Sequence, residues 1–135
     1  EYTGKYQNKH VKLNTTYTST SWVYYNQGRE VDRSSDTVTF FIKANRGFTL
    51  IDKSFVKFKG KIYIFKGIEF VNQYYKYGKI TLKGMFKNND KLKLSYFIYN
   101  VKTKTKKRVV KNLRIVIPRQ PNGSHDMIKI KLVEI

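Results

Sequence analysis

The chain of 135 residues has no cysteine, few acidic residues, and no apolar run near the roughly 20 residues of a membrane-spanning helix. Without cysteine, disulfides, thiolate zinc sites and cysteine nucleophiles are excluded. Alanine occurs once and leucine is sparse, so strong helix formers are missing. The N-terminal stretch "EYTGKYQNKH" has no hydrophobic signal region. We therefore expect a soluble protein with little helix and no transmembrane segment.

Patterns for catalysis and metal binding are also missing. Only "REVDRSSD" groups three acids, and with Arg29 and Arg33 as local partners it is typical of a solvated loop. His10 and His125 have no second ligand at metal-binding spacing, and no glycine-rich phosphate loop precedes a helix. We therefore predict no catalytic residue, no metal site and no cofactor, and hence a protein that is not an enzyme.

What the sequence does contain is a repeated alternation of apolar and polar residues. In "KLKLSYFI", Leu92 and Leu94 fall on one side and Lys91 and Lys93 on the other, as in a sheet with one solvated face. Glycine and asparagine turns recur at short intervals. Strands are predicted near residues 10–17, 21–26, 37–43, 54–59, 61–71, 79–86, 91–101, 107–117 and 127–133.

This pattern predicts one all-β domain over residues 1–135. Two architectures fit it: a small antiparallel β-barrel, SH3-like or related, or a β-sandwich with an extended basic hairpin. In the barrel alternative, residues 85–135 are a candidate extension to a small barrel core.

The charge is strongly one-sided, because 28 Lys and Arg stand against 9 Asp and Glu, giving a net charge of +19. A field of this size attracts polyanions such as nucleic acid, an acidic protein or an anionic membrane surface. The alternative is compositional drift, since chains from AT-rich genomes accumulate Lys, Asn, Tyr, Ile and Phe.

The densest cationic stretch is "NVKTKTKKRVVKNLRI", which contains no acid. If residues 91–101 and 107–117 pair, its cations lie at the tip and along one edge of a long hairpin. There they would follow a phosphate backbone of DNA or RNA. The alternative is a solvated loop, or edge lysines that prevent sheets from aggregating. The candidate polyanion-binding residues are Lys102, Lys104, Lys106, Lys107, Arg108, Lys111 and Arg114.

A second candidate is aromatic. "FVNQYYKYGK" places Tyr74, Tyr75 and Tyr77 beside lysines, which is the composition of a platform on which single-stranded bases stack. Tyrosines in a small β-protein more often line the core with their hydroxyls at its rim. The core interpretation is favoured, and the three tyrosines remain candidate aromatic contacts.

The stretch "FVKFKGKIYIFKGIEF" predicts a scaffold hairpin with its turn at Gly60. We expect Phe58, Ile62 and Ile64 to pack on one face. Phe55 and Tyr63 would lie on the other face, so that the strand pair is covered on both sides.

The run "DTVTFFIKANRGFTLIDKSFVKFKGKIYIFKGIEFVNQYYKYGKITLKG" resembles the head-closure, or head–tail connector, proteins of tailed bacteriophages. The resemblance covers roughly residues 20–84 and implies a small barrel that assembles as a ring between capsid portal and tail. It implies a location in the virion, partnership with further copies or other virion proteins, and no catalytic residue. The matching positions are Val56, Phe58, Gly60, Lys61, Tyr63, Ile64, Ile68, Ile80 and Leu82.

Three functions remain open from the sequence. The first is a non-enzymatic structural protein of a phage head–tail assembly. The second is a basic β-protein that binds DNA or RNA through the phosphate backbone. The third is a secreted module that binds an acidic host protein or a glycan. Outside the virion, either a cytoplasmic or a secreted location fits.

Overall fold

A computed structural model of the chain describes residues 1–69, 72–118 and 128–135, without the side chains of residues 20–22 and 32–34. These residues form two β-sheets packed face to face. The strands are β1 (Tyr2–Gln7), β2 (Val11–Asn26), β3 (Arg29–Ala44), β4 (Phe48–Phe58), β5 (Lys61–Ile64), β6 (Lys66–Ile68), β7 (Tyr74–Tyr75), β8 (Tyr77–Lys83), β9 (Lys91–Asn100), β10 (Thr105–Val116), β11 (Ile128–Lys129) and β12 (Lys131–Glu134).

The first sheet has the order β11-β1-β2-β3-β8-β6, and the second has the order β12-β10-β9-β4-β5 with β7 also paired to β4. Only the pairing of β1 with β11 is parallel among the described residues. The all-β prediction is confirmed. Neither sheet closes into a barrel, so the sandwich is the architecture that the chain adopts.

One hydrophobic core fills the space between the sheets. Leu13, Phe40 and Phe58 enter it from the first part of the chain, and Leu94 and Ile115 enter it from β9 and β10. The period-two alternation explains this, because every second residue of a strand points to the same side of its sheet. Residues after position 85 thus supply three of the strands that line the core, β9, β10 and β12.

The structure has longer strands near the N-terminus than the sequence predicted. Residues 10–17 and 21–26 were expected as two strands but lie within the single strand β2, and "REVDRSSD", expected as a solvated loop, lies in β3. The cause is the two-residue turn at Gln27 and Gly28, whose φ values of 53° and 75° match the right-handed twist of a hairpin. From this turn the pairing runs without a break to Val11 and Ala44.

The hairpin of β4 and β5 forms as predicted, with a tight turn at Lys59 and Gly60, but its faces differ from the expectation. Ile62 lies opposite Lys57 and points with it away from the core. Ile62 and Ile64 are 59% and 56% exposed, so the prediction that they pack beside Phe58 was wrong.

The physical reason is a change of parity at the turn. A two-residue loop makes residues three apart direct partners, so Phe58 pairs with Lys61 and shares its side. Sequence alternation counted through the loop therefore assigns β5 to the wrong face. Tyr63, opposite buried Val56, is the residue of β5 that packs against the core.

Several sequence predictions lie outside the described residues. The Pro- and Gly-rich turn of residues 119–126, with His125, is among them, as are the ends of two predicted strands at residues 70–71 and 127. Within the described residues there is no helix of the length and apolarity that crossing a membrane requires.

Candidate functional site

The predicted basic hairpin exists, because β9 and β10 pair from Lys91 with Arg114 up to Asn100 with Thr105. Its strands carry cations on both sides. Lys106 and Arg108 lie opposite Tyr99 and Phe97 on the side away from the core. The other side holds Lys107 and Lys111, opposite the buried residues Ile98 and Leu94.

The tip of this hairpin is a short turn held by several hydrogen bonds. Asn100 closes it, since its side-chain oxygen accepts hydrogen bonds from the backbone N–H groups of Lys102 and Thr103 at 3.0 and 3.2 Å. Its backbone carbonyl accepts a third hydrogen bond, from the N–H of Lys104 at 2.8 Å. Asn100 also pairs with Phe48, the first residue of β4. The exposed Lys102 and Lys104 therefore stand level with the end of the second sheet.

Arg108 is fixed in place on the outer side of that sheet. Its guanidinium donates hydrogen bonds to the Ser95 hydroxyl at 2.7 Å and to the Lys53 carbonyl at 3.3 Å. The same group lies 5.2 Å from the ring centre of Phe97 and 5.8 Å from that of Phe55. A cation placed over the face of an aromatic ring is attracted to the ring electrostatically. Arg108 thus presents a preorganised charge between two half-buried rings.

A bulge in β4 makes this arrangement possible. The register with β9 shifts between Ile51 and Phe55, and Lys53 has a positive φ of 75°. Buried Ser54 replaces the missing ladder bonds, because its hydroxyl donates to the Ile51 carbonyl and accepts from the Phe97 N–H. The bulge turns the Lys53 carbonyl toward Arg108.

The three candidate tyrosines lie in different parts of the structure. Tyr75 is 2% exposed in the core, as the favoured interpretation expected, and its burial raises the pKa of its hydroxyl to about 12. Tyr74 lies on the outer side of the second sheet, 5.2 Å from the ring of Tyr99, with the Lys106 ammonium 5.9 Å from its centre. Tyr77 belongs to the first sheet, 6.1 Å from Phe41.

Lysines face each other directly at the opposite end of the same surface. Lys57 is the cross-strand partner of Lys93, and Lys91 is the partner of Arg114. An open pocket of about 460 Å³ is lined by these three lysines and Lys59. Like charges directly opposite in a sheet are destabilising. Among the described residues, neither Lys57 nor Lys93 has an acidic partner within ion-pair distance.

We call this surface the outer basic face. None of the residues paired in register on this side of β4, β9 and β10 is Asp or Glu. Along β9 this side runs for about 20 Å from Lys93, past Ser95, to Phe97 and Tyr99. Arg108 and Lys106 of β10 lie opposite these two rings. Its cations are Lys57, Lys91, Lys93, Lys106, Arg108 and Arg114, and its rings are Phe55, Tyr74, Phe97 and Tyr99.

The cations on the other side of β10 border a polar cluster that holds the β1–β2 turn. The His10 ring nitrogen Nδ1 lies 3.0 Å from the Tyr96 hydroxyl, which also accepts a hydrogen bond from Asn8 at 2.9 Å. Burial lowers the pKa of His10, and Lys9, Lys107 and Lys111 lower it further. Lys111 is itself paired with Glu134 at 2.9 Å, and this hydrogen bond raises its pKa.

The sequence therefore identified half of the cations of the outer basic face and one of its rings, Tyr74. Lys106, Arg108 and Arg114 were among its candidates, but Lys57, Lys91 and Lys93 and the rings Phe55, Phe97 and Tyr99 were not. The alternation in "KLKL" had already separated Lys91 and Lys93 from the core side. What joins them to Lys57 and Arg114 is the order of strands β4, β9 and β10, which the local pattern does not reveal.

No protein-family model matches the chain, and neither the curated proteins nor the solved structures include a match to it. The resemblance to phage head-closure proteins therefore stays a prediction.

Proposed function

We propose that the protein is a non-enzymatic binding protein that holds single-stranded nucleic acid on the outer basic face. The observation that carries the proposal is a sheet surface on which cations lie beside half-buried aromatic rings and none of the register-paired residues is acidic. Stacking of bases on such rings contributes about 1–3 kcal/mol each and tolerates any sequence. Phosphate neutralisation by the cations supplies the remaining, salt-dependent affinity.

The two ends of the face have different roles in this proposal. Tyr74 and Tyr99, with Lys106 beside them, offer ring surface for bases. Lys57 and Lys93 offer adjacent positive charges to a phosphate. A phosphate placed between them offsets their mutual repulsion, so the unfavourable pairing becomes favourable when ligand is bound.

The first prediction concerns this lysine pair. Replacing both residues (Lys57→Ala with Lys93→Ala) should weaken binding of a fluorescent oligothymidine by about tenfold at about 150 mM salt. The slope of log affinity against log salt should fall by up to about two. Fluorescence anisotropy over a salt series measures both quantities.

The first sheet offers a matched control. Lys12 and Lys43 are also direct cross-strand partners, and both are exposed. The change Lys12→Ala with Lys43→Ala removes the same charge, so it reports the effect of the overall field. Equal losses in the two double variants would contradict a site on the outer basic face.

We propose a structural component of a phage head–tail assembly, located in the virion, as the second candidate. The observation that favours it is a projecting hairpin. Residues 19–26 of β2 and 29–36 of β3 pair with each other beyond the last residues that β1 and β8 cover. Projecting hairpins suit contacts between subunits. Self-association of the purified chain, measured by sedimentation velocity, tests this candidate.

A further inference from the structure

The projecting hairpin, which we call the hairpin arm (residues 19–26 and 29–36), extends well past the sandwich. The last residue of β2 that pairs with β1 is Tyr17, and the first residue of β3 that pairs with β8 is Thr37. Eight further register pairs follow, from Ser19 with Asp36 to Asn26 with Arg29. At the usual rise per residue the arm is about 25 Å long.

The arm exposes apolar surface that is not covered by other described residues. Val23 and Tyr25 are 53% and 76% exposed. Tyr25 lies opposite Glu30 in the register. An isolated two-stranded hairpin is marginally stable in water and needs a further strand or a packed surface. The length of the arm and its exposed side chains therefore indicate a surface that becomes covered in an assembly.

The arm differs from the rest of the molecule in charge. No lysine occurs between Lys12 and Lys43, although lysine is frequent on either side. The arm carries three of the nine acids, Glu30, Asp32 and Asp36, against two arginines. It is thus a slightly acidic element on a molecule of net charge +19. Such an element is repelled by phosphate and attracted to a lysine-rich protein surface.

A complementary surface lies where β6 forms one edge of the first sheet and β5 forms one edge of the second. Between them is an open cleft of about 640 Å³. Exposed Ile62 and Ile64 line it together with Ile68, which is 43% exposed, while Lys66 and Lys79 supply its charge. Among the described residues that line this cleft none is acidic, and the acid next to it in the chain is Glu69.

We infer that the hairpin arm of one copy of the protein docks in the isoleucine-lined cleft of a second copy. Val23 and Tyr25 cover the exposed isoleucines, and Glu30 lies near the cleft lysines. The free edges of the arm and of β5 or β6 supply unpaired backbone groups for an added strand. The arm and the cleft are different surfaces, so the contact is heterologous and produces a closed ring or a chain of copies.

This inference does not depend on nucleic-acid binding. Its chemical basis is the match of an acidic apolar arm with a lysine-bearing apolar cleft in the same molecule. Sedimentation velocity of the nucleic-acid-free protein, at high micromolar concentration and about 150 mM salt, should show species larger than the monomer.

Two double variants test the two surfaces of the contact one at a time. Val23→Ser with Tyr25→Ser changes the arm, and Ile62→Ser with Ile64→Ser changes the cleft. Each should raise the dissociation constant for self-association at least about tenfold, because exposed apolar anchors carry much of such contacts. Since all four side chains are exposed in the monomer, thermal unfolding should stay close to wild type and verify that both variants fold.

Mixing the two variants gives the sharpest test. The arm variant retains an intact cleft, and the cleft variant retains an intact arm. An equal mixture should therefore form a heterodimer and nothing larger. As a matched control, Val101→Ser with Ile135→Ser removes exposed apolar surface elsewhere and should self-associate like wild type.

Three results would overturn the inference: a wild-type protein that is monomeric at high micromolar concentration, variants that associate like wild type, or a mixture that stays monomeric. Association that occurs only when oligonucleotide is added would overturn it as well. Oligonucleotide binding by a monomeric wild-type protein would leave the outer basic face intact and reject only the arm contact.

Discussion

At the residue scale, four polar side chains are buried among those described, and two of them show how such groups support local structure. Ser54 substitutes for ladder hydrogen bonds at the β4 bulge, and His10 bonds Tyr96 at the β1–β2 turn. Both are structural in this molecule. His10 is also the described side chain whose ordinary pKa lies nearest to neutral pH.

His10 predicts a pH dependence of stability. Its folded-state pKa lies below the ordinary 6.5, so the unfolded chain binds the proton more readily. The stabilising effect is complete above about pH 6.5 and is lost as pH falls from there through the folded-state pKa. Urea unfolding between about pH 7.5 and 5.5 should show a falling free energy of unfolding.

The change His10→Gln should reduce the steepness of that fall, because a glutamine does not titrate. The same three lysines, Lys9, Lys107 and Lys111, remain in the variant, so their field is unchanged. A variant that loses stability with acidification as steeply as wild type would show that His10 is not the responsible group.

At the element scale, the two long hairpins differ in what supports them. The hairpin of β9 and β10 is embedded, because β4 pairs with β9 up to Asn100. The hairpin of β2 and β3 is embedded only up to Tyr17 and Thr37 and then continues as the arm. The core residues lie outside the arm among the described side chains. In β2 and β3, the part within the sandwich therefore contributes to stability, and the part that forms the arm is exposed for interaction.

The arm can be shortened to test this division. Replacing residues 21–34 by Asn-Gly closes the hairpin at the pair of Thr20 and Ser35. We expect the free energy of unfolding to change by less than about 1 kcal/mol, because none of the described side chains that are removed belongs to the core. Urea denaturation followed by circular dichroism measures it.

The embedded hairpin provides the comparison. Replacing residues 99–106 by the same turn closes it at Ile98 and Lys107 but removes the pairing of Tyr99 and Asn100 with β4. This variant should lose clearly more stability than the arm variant. Similar losses in both would mean that the arm packs on the sandwich.

At the scale of the whole molecule, charge and architecture act together. The sandwich separates a basic outer face on the second sheet from an acidic arm on the first, within a chain of net charge +19. A charge of this size destabilises the compact state through self-repulsion. Opposed cations on the outer basic face, such as Lys57 and Lys93, contribute to that repulsion.

Added salt should therefore stabilise the protein. We expect Tm to rise by several degrees between about 10 and 150 mM sodium chloride, over which the screening length shortens from about 30 to 8 Å. The Lys57→Ala with Lys93→Ala variant should show a smaller rise, since one like-charge pair is removed. Differential scanning calorimetry at fixed pH measures both, and a Tm independent of salt would contradict the argument.

Local patterning determined the class of the fold and, for most strands, which side faces the core. Alternation in "KLKLSYFI" assigned Leu92 and Leu94 to the core and Lys91 and Lys93 to solvent, as observed. It failed for Ile62 because a two-residue turn reverses parity, which depends on the turn geometry. The local pattern also predicted two strands where β2 is continuous, and a loop where β3 lies. The cause is that runs of polar Ser and Thr resemble turns in sequence, although here they pair as strands.

Composition and alternation by themselves thus determined an all-β protein with a net charge of +19. Tertiary structure decided how the two sheets form, which cations meet across strands, and that the longest hairpin leaves the sandwich as an arm. The physical reason is the range of the interactions. A residue's side of a strand follows from its immediate neighbours, whereas Lys57 meets Lys93 only through the pairing of β4 with β9, strands far apart in the sequence.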